Sequence, residues 1–281
     1  MIASAPPSHS YVPLIRAALN EDVGTGDITT TATVGEGVRA RGTLLAKSAL
    51  VVAGLEVATE AFRQLDPEVV VEVRWGDGAH VQPGDVIATI SGDARALLTA
   101  ERTALNILQR LCGIATLTSQ YAAAAGDRIT LLDTRKTTPG WRAIEKYAVR
   151  CGGGTNHRQR LDDGVLIKDN HKRLVGGISQ AVAAAQKVAG NFPVEVEVET
   201  LEELDEALAA GAPRILLDNF TTYDVRVAME KIQGRAIVEI SGGITLARLP
   251  ELATTGAQFV SVGAITHSAP AADISFELER A

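Results

Sequence analysis

The sequence predicts an α/β protein: a β/α barrel of the TIM type, complete or incomplete, with a smaller N-terminal α+β domain of sandwich-like build. Three observations carry this. Six apolar strands in the second half each end in a charged residue or a glycine pair: ITLLD (129–133), VLIKDNH (165–171), VEVEVE (194–199), RILLDN (214–219), IVEISGG (237–243) and FVSVGA (259–264). Helix-like stretches separate most of them, at a spacing of roughly twenty to thirty residues, the rhythm of βα units. The length of 281 residues holds one barrel and one smaller domain. Loops at the C-terminal ends of barrel strands build active sites, so Arg135, Lys136, Lys168, Glu197, Asp218, Ser241 and Gly263 become candidates.

In chain order, residues 1–13 read as a flexible arm with Pro6, Pro7 and Pro13, lacking the basic and apolar regions of a signal peptide. LIRAALNEDV (14–23) is a short helix that stops at GTGD (24–27). RGTLLAK alternates as a strand, LEVATEAFRQL has helical spacing, and VVVEVRW is a strand. GDGAHVQPGDVIATISG (76–92) reads as a hairpin with turns at Gly76-Asp77-Gly78 and Pro83-Gly84-Asp85. It resembles the lipoyl or biotinyl carrier hammerhead, but no lysine occupies the tip, so its role is structural. Residues 96–125 form a long helix that crosses from one domain to the other. Its apolar stripe (Leu97, Leu98, Ala104, Leu105, Leu108, Leu111) is expected to be buried, with Arg102 off its centre. The expected domains are 1–110 and 111–267. The tail 268–281, whose ISFELE alternates, returns as a strand to the small domain.

Bulk properties exclude several classes. Hydrophobic content of 46% is that of an ordinary globule, and no run of eighteen apolar residues exists to span a membrane. Cys112 and Cys151 cannot form a disulfide framework and lack metal-ligand spacing, which points to a reducing cytoplasm. A net charge of −7 argues against nucleic acid as a partner. Between Arg135 and Arg173, however, ten Lys/Arg face four Asp/Glu. That window carries +6 and leaves −13 on the rest of the chain. A basic island in an acidic protein suits a small anion. For Lys146 and Arg150 a solvated helix face is the simpler account.

The strand ends suggest specific chemistry. Glycines in ISGGIT and FVSVGAIT let backbone N–H groups approach an anion, and a short helix after them adds its positive end. Glu197 and Asp218 can bind sugar hydroxyls, hold Mg²⁺ through water, or stabilise a developing cation. Glu195, on the same strand face, fits a buried ion pair with a Lys or Arg. Lys168 follows apolar residues, so it needs an anion, a carboxylate or a Schiff-base substrate. Arg135, Lys136, His157 and Arg158 add cations, and several converging on one mouth imply a substrate with several negative charges. His157 alone is more often a structural hydrogen-bonder; beside Arg158 it can serve a carboxylate.

Taken together, EDVGTGDITT (21–30), AERTALNILQRLCGIAT (100–116), DTRKTTPGWRAIEKYAVRCGGGTNHRQRLDDGVLIKDNH (133–171), VEVEVETLEELDEAL (194–208), ILLDNF (215–220), EISGGIT (239–245) and VSVGAITHS (261–268) closely resemble the quinolinate phosphoribosyltransferase family. The segments match in order along nearly the whole chain. The resemblance implies transfer of phosphoribosyl from phosphoribosyl pyrophosphate to quinolinate with loss of CO2, in NAD biosynthesis, with Mg²⁺ as cofactor. It implies a homodimer with shared active sites and leaves dimer against hexamer open. By motif, Thr134, Arg135, His157, Arg158 and Lys168 bind quinolinate, joined by Arg102 from the partner. Glu197 and Asp218 hold ribose hydroxyls and metal-bound water. Ser241, Gly242, Gly243, Val262, Gly263 and Ala264 cradle the 5′-phosphate. Lys136 and Lys168 neutralise pyrophosphate. Rival readings are a Schiff-base aldolase using Lys168, a family relative acting on another acid, and a catalytically silent binder of phosphorylated metabolites.

Overall fold

The structure, a computed structural model, describes residues 5–281. The chain runs α1 (Val12–Val23), α2 (Ile28–Thr33), β1 (Arg39–Ala46), β2 (Leu50–Val51), α3 (Leu55–Leu65), β3 (Val70–Val73), β4 (His80–Val81), β5 (Val86–Asp93), α4 (Ala94–Ala125) and β6 (Thr130–Leu132). It continues through α5 (Arg142–Cys151), β7 (Val165–Ile167), α6 (Asp169–Val175), α7 (Ile178–Gln186), β8 (Val194–Val198), α8 (Leu201–Ala209), β9 (Arg214–Asp218), α9 (Thr222–Ile232), β10 (Ile237–Ser241), α10 (Leu249–Leu252), β11 (Phe259–Ser261), α11 (Ala264–His267) and β12 (Ile274–Arg280). All six strands expected in the second half form.

The chain divides into two compact units. The first extends to Ser119 and takes in Lys136–Gly153 and Ala264–Ala281; the second comprises Gln120–Arg135 and Gly154–Gly263. By contacts the first unit thus takes in Lys136–Gly153 in addition to the N-terminal segment and the tail. An ion pair between the half-buried Arg110 and the fully buried Glu145 holds α5 to α4 within the first unit.

In the first unit, an antiparallel sheet runs in the order β12-β1-β5-β3. β1 alternates exposed and buried residues as its sequence predicts. The Phe62 ring of α3 meets Phe276 of β12 at 5.3 Å between centroids. Gly42 makes room for Phe276, since a Cβ there would overlap its ring. The segment 76–92 is not a single hairpin: β4 pairs with β2, while β5 pairs with β1 and β3. The cause is Asp77, whose carboxylate accepts the Gly54 and Leu55 N–H groups at 2.8 and 3.1 Å and ties this turn to the start of α3. The expected arm is also shorter. Residues 8–10 form a 3₁₀ turn, Tyr11 is buried and α1 starts at Val12; residues 1–4 lie outside the described residues. On α4, Leu97, Ala104, Leu105, Leu108 and Leu111 are buried. Leu98 is 37% exposed, on the face it shares with Arg102 one turn later.

The second unit is a six-stranded parallel sheet in the order β6-β11-β10-β9-β8-β7. From β7 to β11 each strand neighbours the next in sequence, and the last, β11, pairs with the first, β6. That is the cyclic order of a barrel. Among the described residues no ladder joins β6 to β7; a single bridge from Leu132 to Thr155 extends the free edge of β6. The barrel therefore has six strands and one open seam. The two glycine-bearing loops follow the fifth and sixth strands of this sheet in chain order, β10 and β11.

Candidate active site

The C-terminal strand ends of the second unit gather carboxylates. β8 is buried throughout, and the period of two puts Glu195 and Glu197 on one face. Glu199 follows it, and Asp218 ends the neighbouring β9. Carboxylate oxygens of Glu197, Glu199 and Asp218 all lie within 4.8 Å of one another. An all-oxygen donor set of this kind fits a hard cation such as Mg²⁺. Lys168 sits between β7 and α6, and its Nζ donates to Glu197 Oε2 at 2.5 Å. The Lys168 side chain is 48% exposed, so it is not the buried lysine that its apolar predecessors suggest: the strand ends at Ile167 and the lysine lies beyond it.

The turn after Asp218 is strained in a specific way. Asn219 has φ of 60°, unusual for a side-chain-bearing residue, and its Nδ2 donates to Asp218 Oδ2 at 2.7 Å. Its backbone N–H reaches Ser241 O at 3.0 Å. Gly242 has φ of 83°, and a Cβ there would overlap Asn219; Gly243 has φ of 58° and open space on its Cβ side. Of these two glycines, Gly243 has the open side. No helix follows these glycines directly, since α10 begins at Leu249; after Gly263, α11 begins at once but spans one turn. Val262 is buried and donates its N–H to Leu132 O at 3.0 Å.

Asp133, fully buried at the end of β6, organises a second group. Its carboxylate accepts from Asn156 Nδ2 at 2.6 Å and from His157 N at 2.8 Å. This pins the segment carrying His157 and Arg158 beside Thr134 and Arg135, both partly buried. Burial, and then the charge of Arg135, lower the Arg158 pKa from its ordinary value. Two guanidinium groups that feel one another's charge lower their mutual repulsion by taking an anion.

His157 is engaged on both ring nitrogens. Nδ1 accepts the Arg158 N–H at 2.7 Å, while Nε2 faces Glu195 at 3.2 Å and Glu239 at 3.4 Å. Burial opposes its protonation, but the hydrogen bonds and charges of the two carboxylates prevail and raise its pKa to about 9. The Arg158 amide limits that rise, because protonating Nδ1 breaks its hydrogen bond. Arg214 completes the network, with 2.8 Å to Glu195 and 2.9 Å to Glu239, and its guanidinium lies over the Phe259 ring at 4.6 Å. Burial alone would raise the Glu239 carboxyl, but His157 and Arg214 hold it below the ordinary range. Glu195 is therefore the buried ion-pair member that its sequence position suggests. With cations already on both carboxylates, this group does not suit a metal.

A cavity of about 290 Å³ lies along the open seam, lined by Arg158, Thr155, Val165, Pro193, Arg214 and Phe259 among others. Four of these stand at or just before strand starts. Lys168, Glu197 and Asp218 do not line it. Arg135, His157 and Arg158 thus gather near Asp133, and Lys168 lies at the carboxylates.

Lys136, Arg102 and Ala264 belong to the first unit. The peptide bonds to Arg135 and Gly263 keep Lys136 and Ala264 one residue from their neighbours in the second unit. Arg102 is 61% exposed and only loosely paired to Glu101, at 3.9 Å.

Comparison with known proteins decides what this arrangement belongs to. The families described as quinolinate phosphoribosyl transferase, N-terminal domain, and quinolinate phosphoribosyl transferase, C-terminal domain, match residues 27–112 and 114–277. The chain belongs to the quinolinate phosphoribosyl transferase family. Among relatives in this family is a Bacillus subtilis protein described as a probable carboxylating nicotinate-nucleotide pyrophosphorylase, 45% identical over 92% of this chain and 90% of its own. A Mycobacterium leprae nicotinate-nucleotide pyrophosphorylase is 44% identical over 94% and 95%. A solved structure of the Francisella tularensis nicotinate-nucleotide pyrophosphorylase superposes with a TM-score of 0.93 at 40% identity, covering 99% of both chains.

Within this quinolinate phosphoribosyl transferase fold, sequence reasoning assigned no role to Asp133, Asn219, Glu199, Arg214 or Glu239. Asp133 ends a strand as the other candidates do, and that signal alone could have found it. Arg214 and Glu239 begin or sit within strands and are read as ordinary strand residues until their ion pairs are seen.

Proposed function

We propose that this chain transfers the phosphoribosyl group of phosphoribosyl pyrophosphate to quinolinate, yielding nicotinate mononucleotide, pyrophosphate and CO2. The observation that carries the site assignment is the buried Asp133 anchor, which holds the His157–Arg158 segment to the strand end that carries Arg135, a cation whose charge lowers the Arg158 pKa. A dicarboxylate is the natural ligand of such a pair. Arg135, Arg158 and Lys168 take its carboxylates, with Thr134 beside them. His157, with both ring nitrogens engaged, supports Arg158; a direct carboxylate contact would require one of those bonds to break.

The reaction balances without an organic cofactor. The bond from ribose C1 to pyrophosphate breaks, and the electron pair leaves with the pyrophosphate. Lys136 and Lys168 neutralise that charge. The pyridine nitrogen donates its pair to C1 and becomes positive. It then accepts the electrons released as the adjacent 2-carboxylate departs as CO2, and a proton fills the vacated ring carbon. Glu197 and Asp218 bind the ribose hydroxyls and stabilise the positive charge developing at C1. Mg²⁺, held through water by Glu197, Asp218 and the neighbouring Glu199, would supply charge neutralisation for pyrophosphate. Backbone N–H groups at Gly243, Gly263 and Ala264 bind the 5′-phosphate, with Ser241 and Gly242 shaping the first turn and Val262, whose N–H is taken by Leu132 O, shaping the second.

Arg102 is assigned to the site of a second subunit. Exposed Leu98 on the same face of α4 and exposed Ile28 beyond Asp27, the partner of Thr99, supply apolar surface for that contact. The state is a homodimer or a hexamer built from it, in a reducing cytoplasm that suits two free cysteines. Among the described residues no helix is long and apolar enough to cross a membrane. The test is a coupled assay with quinolinate, phosphoribosyl pyrophosphate and Mg²⁺. Equimolar nicotinate mononucleotide and CO2 are expected; product without CO2, or none, would refute the reading.

A further inference from the structure

The first unit contains a buried hydrogen-bond ring that this reaction does not by itself explain. Glu145, on α5, is fully buried. Its carboxylate accepts from Thr138 Oγ1 at 2.8 Å and from Thr138 N at 3.0 Å. The same carboxylate binds the Arg110 guanidinium of α4 at 3.1 and 3.2 Å. Arg110 also donates to Ala269 O at 2.8 Å and to Thr266 O. Thr266, fully buried in α11, closes the ring by donating its Oγ1 to Lys136 O at 2.8 Å. Lys136 is thus held by its own carbonyl and, two residues later, through both polar groups of Thr138, while Lys136 itself is exposed.

We propose that Arg110, Glu145 and Thr266 are positioning residues that fix the backbone of Lys136 and tie it to the helical turn beginning at Ala264. The ring spends a buried carboxylate and a guanidinium on one exposed loop. A loop that needed only to be connected would leave its polar groups to water. Glu145 is doubly engaged on Thr138, and Arg110 spans from α4 to the segment after α11. Movement of the loop therefore breaks several charge-assisted bonds at once. The consequence is a lysine whose main chain is preset and whose ammonium alone adjusts to the departing pyrophosphate. Small displacements of such a group cost up to about a hundredfold in rate.

The inference rests on the assignment of Lys136 to pyrophosphate, and the experiment separates the two. The variants are Thr266→Val, which removes one hydroxyl at constant shape, and Thr266→Ser, which restores it. Hydrogen exchange of a peptide covering 134–141 reads the ring without reference to catalysis. Steady-state kinetics read its use. Thr266→Val should exchange roughly tenfold faster there, the size of effect expected from one lost hydrogen bond. It should lose about ten- to a hundredfold in kcat/KM for phosphoribosyl pyrophosphate, with the KM for quinolinate nearly unchanged. Thr266→Ser should recover both. Unchanged exchange overturns the ring. Faster exchange with normal kinetics, or with equal losses for both substrates that serine does not rescue, overturns the positioning role. Faster exchange in a protein whose wild type cannot use these substrates overturns the reaction and leaves the ring intact.

Discussion

The inner part of the barrel and its strand ends use the same residue types to opposite effect. Inside, Glu195 and Glu239 share His157 and Arg214 at 2.8–3.4 Å, and each cation bridges both acids. At the strand ends, Glu197, Glu199 and Asp218 crowd together with one half-exposed lysine. In the inner group each acid already meets two cations, so removing a member leaves a buried charge uncompensated. The strand-end group sets three carboxylates against that one lysine, next to solvent. Unbalanced groups are those whose energy a substrate and its metal can change. The proposed division is that the inner ion pairs hold the fold and the strand-end charges meet ligand.

The largest effect predicted from that contrast is on substrate choice. If Arg135, Arg158 and Lys168 serve two carboxylates, nicotinic acid leaves cations unpaired. Its kcat/KM should fall at least about a thousandfold below that of quinolinate, since sites built for a polar group discriminate strongly against its loss. Equal turnover of the two acids would end the decarboxylating assignment.

Next in size is Lys168→Ala. Loss of a charge-assisted partner to a desolvated anion costs about 2–5 kcal/mol, so activity should drop roughly a hundredfold or more. Its side chain is about half exposed, so its pair with Glu197 contributes at most about 1 kcal/mol to stability. Thermal denaturation should show a melting temperature close to wild type.

The smallest effect concerns pH. The folded-state pKa of His157 is raised to about 9 from an ordinary 6.5. Its charged interaction with Glu195 and Glu239 is therefore fully present below about pH 6.5 and fades as pH rises through about 9. His157→Gln should lower the melting temperature by several degrees at pH 6 and by much less at pH 9.5. A gap that widens with pH would show that His157 folds in as the neutral ring.

Much of this architecture was legible because barrel strands are short, buried and bounded by chemistry. The six strands, the long α4 helix and the alternation of β12 follow directly from apolar periodicity. Glu197, Asp218 and Lys168 were legible because they stand where a strand pattern stops. What was not legible depended on contacts distant in sequence. Asp77 redirects β4 to β2 by holding the start of α3, more than twenty residues earlier. The Arg110–Glu145 pair holds α5 to α4 within the first unit. Leu98 reads as core by its type, yet lies on the exposed face of α4 with Arg102. Gly242 and Gly243 look alike in sequence, but Asn219 fills the space beside one and leaves the other open.

The most direct test is a pair of melting curves with and without saturating quinolinate, for wild type, Lys168→Ala and Arg214→Met. If inner charges stabilise and outer charges bind, quinolinate raises the wild-type melting temperature. Lys168→Ala then keeps the unliganded value and loses most of the shift. Arg214→Met loses about 3–5 kcal/mol by orphaning Glu195 and Glu239, a fall of at least about 6 °C, and keeps most of the shift. If instead Arg214→Met abolishes the shift at an unchanged melting temperature, or Lys168→Ala destabilises the protein and still responds to quinolinate, the division between structural and functional charge is contradicted.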